Sequence, residues 1–263
     1  MMNRCSCISQ EGRSDGADVA TGSEVLRIET LGRIRLWSGA KRLHVRLPAQ
    51  ALLVLARVVA SPDASVDREE LAFTLWPEDT ETEARAKLRR QLYNIQRAAA
   101  DASGSSWLSS EAQCVTWTAE SWVDVAEFDR LSAVPDSYEA AAELYRGPFA
   151  PSLDHDWVRA ERARFERDAV RLHVDLAQRS LQCGDLPKAL HYVEQLLRID
   201  PWREDALRHF MMLRLRLNDR AGALCRYREF RLRLWQEFEV EPMPETIRYY
   251  DAVVAGSVLE LAV

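Results

Sequence analysis

With 263 residues, 47% of them hydrophobic and 29% charged, the chain has the composition of a soluble globular protein with room for two ordinary domains. A net charge of −6 excludes a uniformly basic nucleic-acid coat protein. No apolar run of roughly 18 residues occurs, and the start lacks the apolar segment of a signal peptide, so a cytoplasmic location without a membrane partner is expected.

Residues 1–24 read as a disordered N-terminal tail, which carries Cys5 and Cys7. Cys114, Cys183 and Cys225 complete an odd set without a CxxC pair, so all five are expected to be reduced and mostly packed. Val25 to Trp37 alternates Leu26 and Ile28, then Ile34 and Leu36, and a turn at Ser38-Gly39-Ala40 leads to Leu43, Val45 and Leu47. That period of two predicts a short antiparallel sheet.

Pro48 opens a helix whose apolar face is Leu52, Leu55, Ala56 and Val59, and Ser61-Pro62-Asp63 stops it. Asp67 with Glu70 has the capping-box pattern for a second helix, which Pro77 ends. Thr80 with Glu83 repeats the pattern for a third, running to about Ala100. After Ser103-Gly104-Ser105, Trp107-Leu108 and Cys114 to Trp117 predict a hairpin. Sheet, three helices and hairpin in that order make a winged helix-turn-helix over residues 25–120, in which the last helix lies in a major groove.

That third helix concentrates the cations. KLRRQLYNIQR, residues 87–97, holds Lys87, Arg89, Arg90 and Arg97 and no acid. Leu88, Leu92, Ile95 and Ala99 fall on one stripe, which leaves Arg90, Tyr93, Asn94 and Arg97 opposite and Arg89 and Lys87 on the shoulders. Guanidinium forks match guanine and an Asn amide matches adenine, so Arg89, Arg90, Tyr93, Asn94 and Arg97 are the expected base readers. Thr80, Thr82, Arg85 and Lys87 are the expected phosphate contacts, beside a positive helix N-terminus. The connection Trp76-Pro77-Glu78-Asp79 is acidic and suits a protein partner better than a duplex.

Residues 121–255 read as almost entirely helical, with a short tail at 256–263. Helices are expected at Tyr138 to Tyr145, Asp156 to Gln182, 186–199, 203–217, 221–238 and Pro244 to Ala255. Ala189 and Ala223, Leu190 and Leu224, and Gly184-Asp185 and Asn218-Asp219 correspond at an offset of 34, the tetratricopeptide period. The fold class is therefore an α+β winged helix-turn-helix followed by an all-α tetratricopeptide-like repeat domain. Charge follows the same division. Residues 25–120 hold thirteen Lys/Arg against twelve Asp/Glu, and residues 121–263 hold twenty against twenty-five.

REELAFTLWP at 68–77, residues 84–97, WVDVAEF at 122–128, YRGPF at 145–149, WVRAERAR at 157–164, AGALCRYREF at 221–230 and EPMPETIRYY at 241–250 together resemble SARP-type bacterial transcriptional activators. Those proteins join an OmpR-like winged helix to a bacterial transcriptional activator domain. The resemblance covers about residues 25–255. It implies binding of double-stranded DNA at promoter-proximal direct repeats, as two copies side by side, and recruitment of RNA polymerase. It also implies that the connection before the recognition helix, Trp76, Pro77, Glu78, Asp79 and Glu81, touches the polymerase. Two departures stand out. The helix has Asn94 and Gln96 where the family is richer in arginine, and the wing, Ser109 to Gln113, has neither Gly nor a cation.

Nucleophile-elbow, zinc-protease, dinucleotide and P-loop patterns are missing, so neither an enzyme nor a cofactor is expected. His155, His173, His191 and His209 recur every 18 residues and read as packing or surface groups rather than metal ligands. Trp76, Trp122, Trp157, Trp202 and Trp235 are expected to pack between the domains. Arg159, Arg162, Arg164 and Arg167 alternate with acids on what reads as a solvated helix. The rival function is a helical-repeat adaptor or ligand sensor with little DNA binding of its own.

Overall fold

A computed structural model of the chain describes residues 25–111 and 113–256. The expected N-terminal tail at 1–24, with Cys5 and Cys7, and residues 257–263 of the expected tail at 256–263 lie outside the described residues. Strands β1 (Leu26–Glu29), β2 (Arg35–Ser38) and β3 (Lys41–Leu43) form the expected meander, with Ile28 opposite Leu36 and Leu36 opposite Leu43. A strand that periodicity did not reveal, β7 (Ser121–Val123), joins the same sheet parallel to β1, giving the order β3-β2-β1-β7. Three residues are too few to show alternation.

Helix α1 (Ala49–Val59) starts one residue after Pro48. It buries Ala51, Val54, Leu55, Ala56, Val58 and Val59, a wider stripe than expected, and leaves Leu52 half-buried. Strand β4 (Ser65–Asp67), also not foreseen, pairs with β6 (Cys114–Trp117), and β6 pairs with β5 (Leu108–Ser109), so the hairpin is part of a three-stranded sheet. Asp67 caps α2 (Arg68–Leu75) by accepting from the Glu69 and Glu70 amides. Glu70 does not close the expected box; its carboxylate takes the Arg57 guanidinium instead.

The helical part begins with α4 (Asp124–Ser132), which the sequence reading missed, and α5 (Tyr138–Leu144). The stack then follows as α6 (Asp156–Gln182), α7 (Leu186–Ile199), α8 (Glu204–Arg216), α9 (Arg220–Phe238) and α10 (Pro244–Ala255). The 34-residue repeat is chemical as well as geometric. Gly184 and Asn218 both take positive φ to end a helix, at 76° and 61°. The next residue in each case, Asp185 or Asp219, caps the following helix by accepting from the Lys188 or Gly222 amide. Ala189 and Ala223 are both fully buried, where a larger side chain would hold the helices apart.

The two parts are tied closely. Residues 144–155 lie against the end of β1: Gly32 N–H donates to Pro148 and Ala150 N–H to Thr30, each at about 3 Å. Trp157 packs against both hydrophobic cores, as expected for a residue between them. Trp202 and Trp235 do not: both are exposed, because α8 and α9 present their outer ends there. Cys114, Cys183 and Cys225 are exposed rather than packed, since each sits at an element end or on an outer helix face. No helix among the described residues is long and apolar enough to cross a membrane.

Candidate nucleic-acid interface

Helix α3 (Glu81–Ser103) carries the cationic stretch, and Gly104 ends it at φ 69°. Its first turn is locked by the expected box: Thr80 Oγ1 accepts from the Glu83 amide while the Glu83 carboxylate accepts from the Thr80 amide. The same carboxylate also accepts from the Thr80 hydroxyl, at 2.6 Å. These bonds hold the Glu83 carboxyl below its ordinary range, the Thr80 side chain first among the causes. The Thr80 hydroxyl is thus spent within the helix, while Thr82, inside the first turn, is exposed.

Ala84, Leu88, Leu92, Ile95 and Ala99 form the buried stripe, as the periodicity indicated. Gln91 is buried with them, a polar core residue that the sequence reading missed. Its amide nitrogen donates to Gln50 of α1 at 3.3 Å, and its oxygen accepts from Asn94 at 3.2 Å. Asn94 is therefore half-buried and already partnered.

On the outer face Arg89, Arg90 and Arg97 are exposed, and Tyr93 between them is 62% exposed. Among the described residues none of these three arginines is in an ion pair. Their neighbours are neutralised. Arg85 is paired with Glu69 and with Glu81, the latter at 2.7 Å, and Lys87 is paired with Asp79. Burying α3 by one stripe thus leaves a face of three free guanidinium groups and a phenol, while Glu69 of α2, Asp79 of the turn and Glu81 at the start of α3 hold the two other cations.

Beside this face lies a cleft of about 370 Å³ lined by Arg68, Glu69, Arg85, Leu88, Arg89 and Gln113. Arg68 was not among the expected contacts. It follows the cap of α2, donates to Ser110 in the wing and adds a cation at the cleft wall; no sequence pattern marks it, since its position depends on β4 pairing with the wing strand.

Of the connecting residues, Pro77 and Glu78 are exposed, Asp79 is half-buried in its pair with Lys87, and Glu81 stands on the first turn of α3. Trp76 differs: it is only 9% exposed and belongs to the core beneath α2. Its ring cannot be part of the outer surface of this connection.

Away from this face, His155 Nε2 lies 3.2 Å from the Leu75 carbonyl, at the end of α2. His173 is buried against α7 with its pKa lowered chiefly by burial, and Nδ1 is 2.7 Å from the Ala169 carbonyl. The 18-residue recurrence brings His173 of α6 and His191 of α7 to one cleft, both against Tyr192, but among the described residues no group of three or more His, Cys, Asp and Glu has the arrangement of a metal site.

A winged helix-turn-helix with an unpaired cationic face on α3, joined to a tetratricopeptide-like stack, defines the two-part architecture of the chain. The family model for the bacterial transcriptional activator domain matches residues 123–254, and the chain belongs to that family of transcriptional regulators. It is 23% identical over 248 residues to the transcriptional regulatory protein MoaR1 of Mycobacterium tuberculosis, covering 87% of this chain and 79% of MoaR1. It is 26% identical over 238 residues to the regulatory protein AfsR of Streptomyces griseus, covering 85% of this chain but 24% of AfsR. The fold is shared with Mycobacterium tuberculosis EmbR, solved in complex with a low-affinity phosphopeptide, at a TM-score of 0.60 and 19% identity. That match covers 89% of this chain and 66% of EmbR. The SARP-type resemblance drawn from the motifs is thereby supported along the chain.

Proposed function

We propose that the chain is a sequence-specific DNA-binding transcriptional activator, with residues 25–120 as the DNA-binding part and α3 as the recognition helix. The observation that carries this reading is the unpaired state of Arg89, Arg90 and Arg97 on one outer face, on a helix whose two other cations, Arg85 and Lys87, are both paired. Free guanidinium groups beside Tyr93 suit base edges, while Thr82, Arg68 and, once released from their acids, Arg85 and Lys87 suit phosphates. Asn94 reads a base only by giving up its bond to Gln91. Two copies bind side by side on direct repeats, and Pro77, Glu78 and Glu81 face RNA polymerase. An adaptor that does not read DNA has no need of Arg89, Arg90 and Arg97 on one exposed arc of α3.

The test is selection of bound duplexes from a random pool at two salt concentrations, beside the Arg90→Ala/Arg97→Ala variant. Enrichment of a repeated motif by the wild type alone is expected, with a loss of about 1–3 kcal/mol per base-reading arginine. No enrichment by a folded wild type would overturn the reading and move the adaptor ahead.

A further inference from the structure

Two surfaces outside α3 remain unexplained, and their chemistry is opposite. The first is a groove of about 710 Å³ on the N-terminal sheet. Its floor is apolar: Ile34, Leu36, Val45, Leu47 and Leu52. Its rim is basic: Arg33, Arg42, His44 and Arg46 are all exposed. Arg35 is paired with Glu29, but among the described residues Arg33, Arg42 and Arg46 have no ion pair. β3, which forms one wall, is an edge strand with one side unpaired.

Leu52 in the groove and Gln50, which contacts α3, are two residues apart on α1 and so about 200° apart around it. The groove therefore faces away from the recognition helix. Its apolar floor also distinguishes it from a phosphate track.

The second surface is a knob at the far end of the helical stack. Trp202 meets Phe238 edge-on at 4.9 Å between ring centres, and Glu204 accepts from the Met243 amide at 2.9 Å, so the start of α8, the end of α9 and the link to α10 converge there. Trp235, Phe238 and Met243 are 53%, 51% and 61% exposed. Glu237 and Glu239 flank them, exposed and, among the described residues, without an ion pair. Glu239 has φ 57° at the end of α9, the left-handed position that glycine fills at least cost.

We infer that the acidic aromatic knob of one copy docks into the basic apolar groove of a second copy of this chain, head to tail. Free cations over an apolar floor complement free carboxylates around exposed aromatics, and buried aromatic anchors within a charged rim are how specific interfaces are built. The two faces are different patches of one chain, one on the N-terminal sheet and one on the helical stack, so the contact is heterologous and repeats in one direction. That is the symmetry of direct repeats. The inference deepens the reading of two copies side by side and rests on it for its setting, but the contact itself is testable without DNA.

Sedimentation of the full chain over a concentration range, at low and high salt, is the first measurement, with salt expected to weaken association. Arg42→Glu/Arg46→Glu and Glu237→Arg/Glu239→Arg should each weaken self-association by about tenfold or more. Mixing these two variants should restore it, because one then supplies an acidic groove and the other a basic knob. Glu239→Gly should weaken association while leaving thermal stability equal or higher, which a merely structural role would not do.

A wild type that stays monomeric at every concentration, or a mixture that stays monomeric, would overturn the inference. Association that survives reversal of the groove would assign the contact to the knob alone and overturn it equally. Association that appears only in a chain lacking residues 1–24 would overturn it as well, and would give the groove to that segment. None of the substituted residues is on α3, so binding to a single half-site should be unchanged in every variant. Loss of DNA binding by the wild type would therefore count against the proposed function and not against this contact.

Discussion

The Asp124 carboxylate holds Thr30 twice, accepting from its amide at 2.6 Å and its hydroxyl at 2.7 Å, and takes a third bond from the Leu31 amide at 2.7 Å. The two partners are 94 residues apart, one at the start of α4 and the other just past β1. Together with the β1–β7 pairing, this bond set fixes the helical stack to the sheet on which the winged helix is built.

Asp124→Ala leaves two buried amides without an acceptor, and a loss of about 2–3 kcal/mol or more is expected in denaturant unfolding. Asp124→Asn keeps one oxygen for both amides and turns its NH₂ toward the Thr30 hydroxyl, which can accept, so it should cost about 1 kcal/mol. Burial pushes the Asp124 pKa up, against the pull of its hydrogen bonds. A carboxyl whose folded pKa is raised contributes stability that is present below the unfolded value and lost as pH rises through the folded one. The stability difference between the Asp124→Asn variant and the wild type should therefore shift in the variant's favour as pH rises through that window.

Arg162 organises the link between the two parts. Its guanidinium donates to the carbonyls of Phe149, Ala150 and Leu153 at 3.0, 3.1 and 3.1 Å, and Ala150 is held at φ 40°, a conformation costly for a residue with a Cβ. A lysine cannot reproduce the fork. Arg162→Lys should cost about 1–3 kcal/mol and speed amide exchange at Gly32 and Ala150, whose N–H groups are bonded across this link.

Gly222 occupies the third position of α9, where a Cβ would run into the Asp219 carboxylate that caps the helix. Gly222→Ala gains about 1 kcal/mol of helix propensity but displaces a cap worth about as much, and the overlap itself must be relieved. Net destabilisation is expected in thermal unfolding, where a plain propensity argument predicts the reverse. The matching position in the preceding repeat is Lys188, which Asp185 caps without this crowding.

Long periodic segments were legible and short ones were not. The stripe of α3 and the ends of α6, α7 and α10 follow from helical spacing and caps, because enough residues repeat to define a face. β4 and β7, three residues each, depend on partners about fifty and ninety residues away, Thr116 for Ser65 and Ile28 for Val123. Charge pattern alone was the weakest guide. It read Arg162 among solvated arginines, although a fixed loop turns three carbonyls toward it. It also placed Lys87 and Arg85 as ready phosphate contacts, although Asp79 of the turn before the helix holds Lys87, and Glu81 at the start of α3 and Glu69 of α2 hold Arg85.

Those acids make the final prediction sharp. Asp79 is paired with Lys87 at the edge of the proposed DNA face, half-buried while Lys87 is exposed, and a surface pair of this kind is worth about 0–1 kcal/mol. A phosphate must compete with Asp79 for Lys87, and Asp79 itself repels the duplex. Asp79→Asn should therefore strengthen binding to all duplexes alike and steepen the fall of log affinity with log salt by about one unit, since one more phosphate is neutralised. Arg90→Ala should act differently, weakening the selected duplex more than a random one. The two substitutions thus separate backbone attraction from base reading. If Asp79→Asn left both affinity and salt slope unchanged while Arg90→Ala behaved as expected, Lys87 would lie off the DNA, and α3 would contact the duplex through its outer face alone.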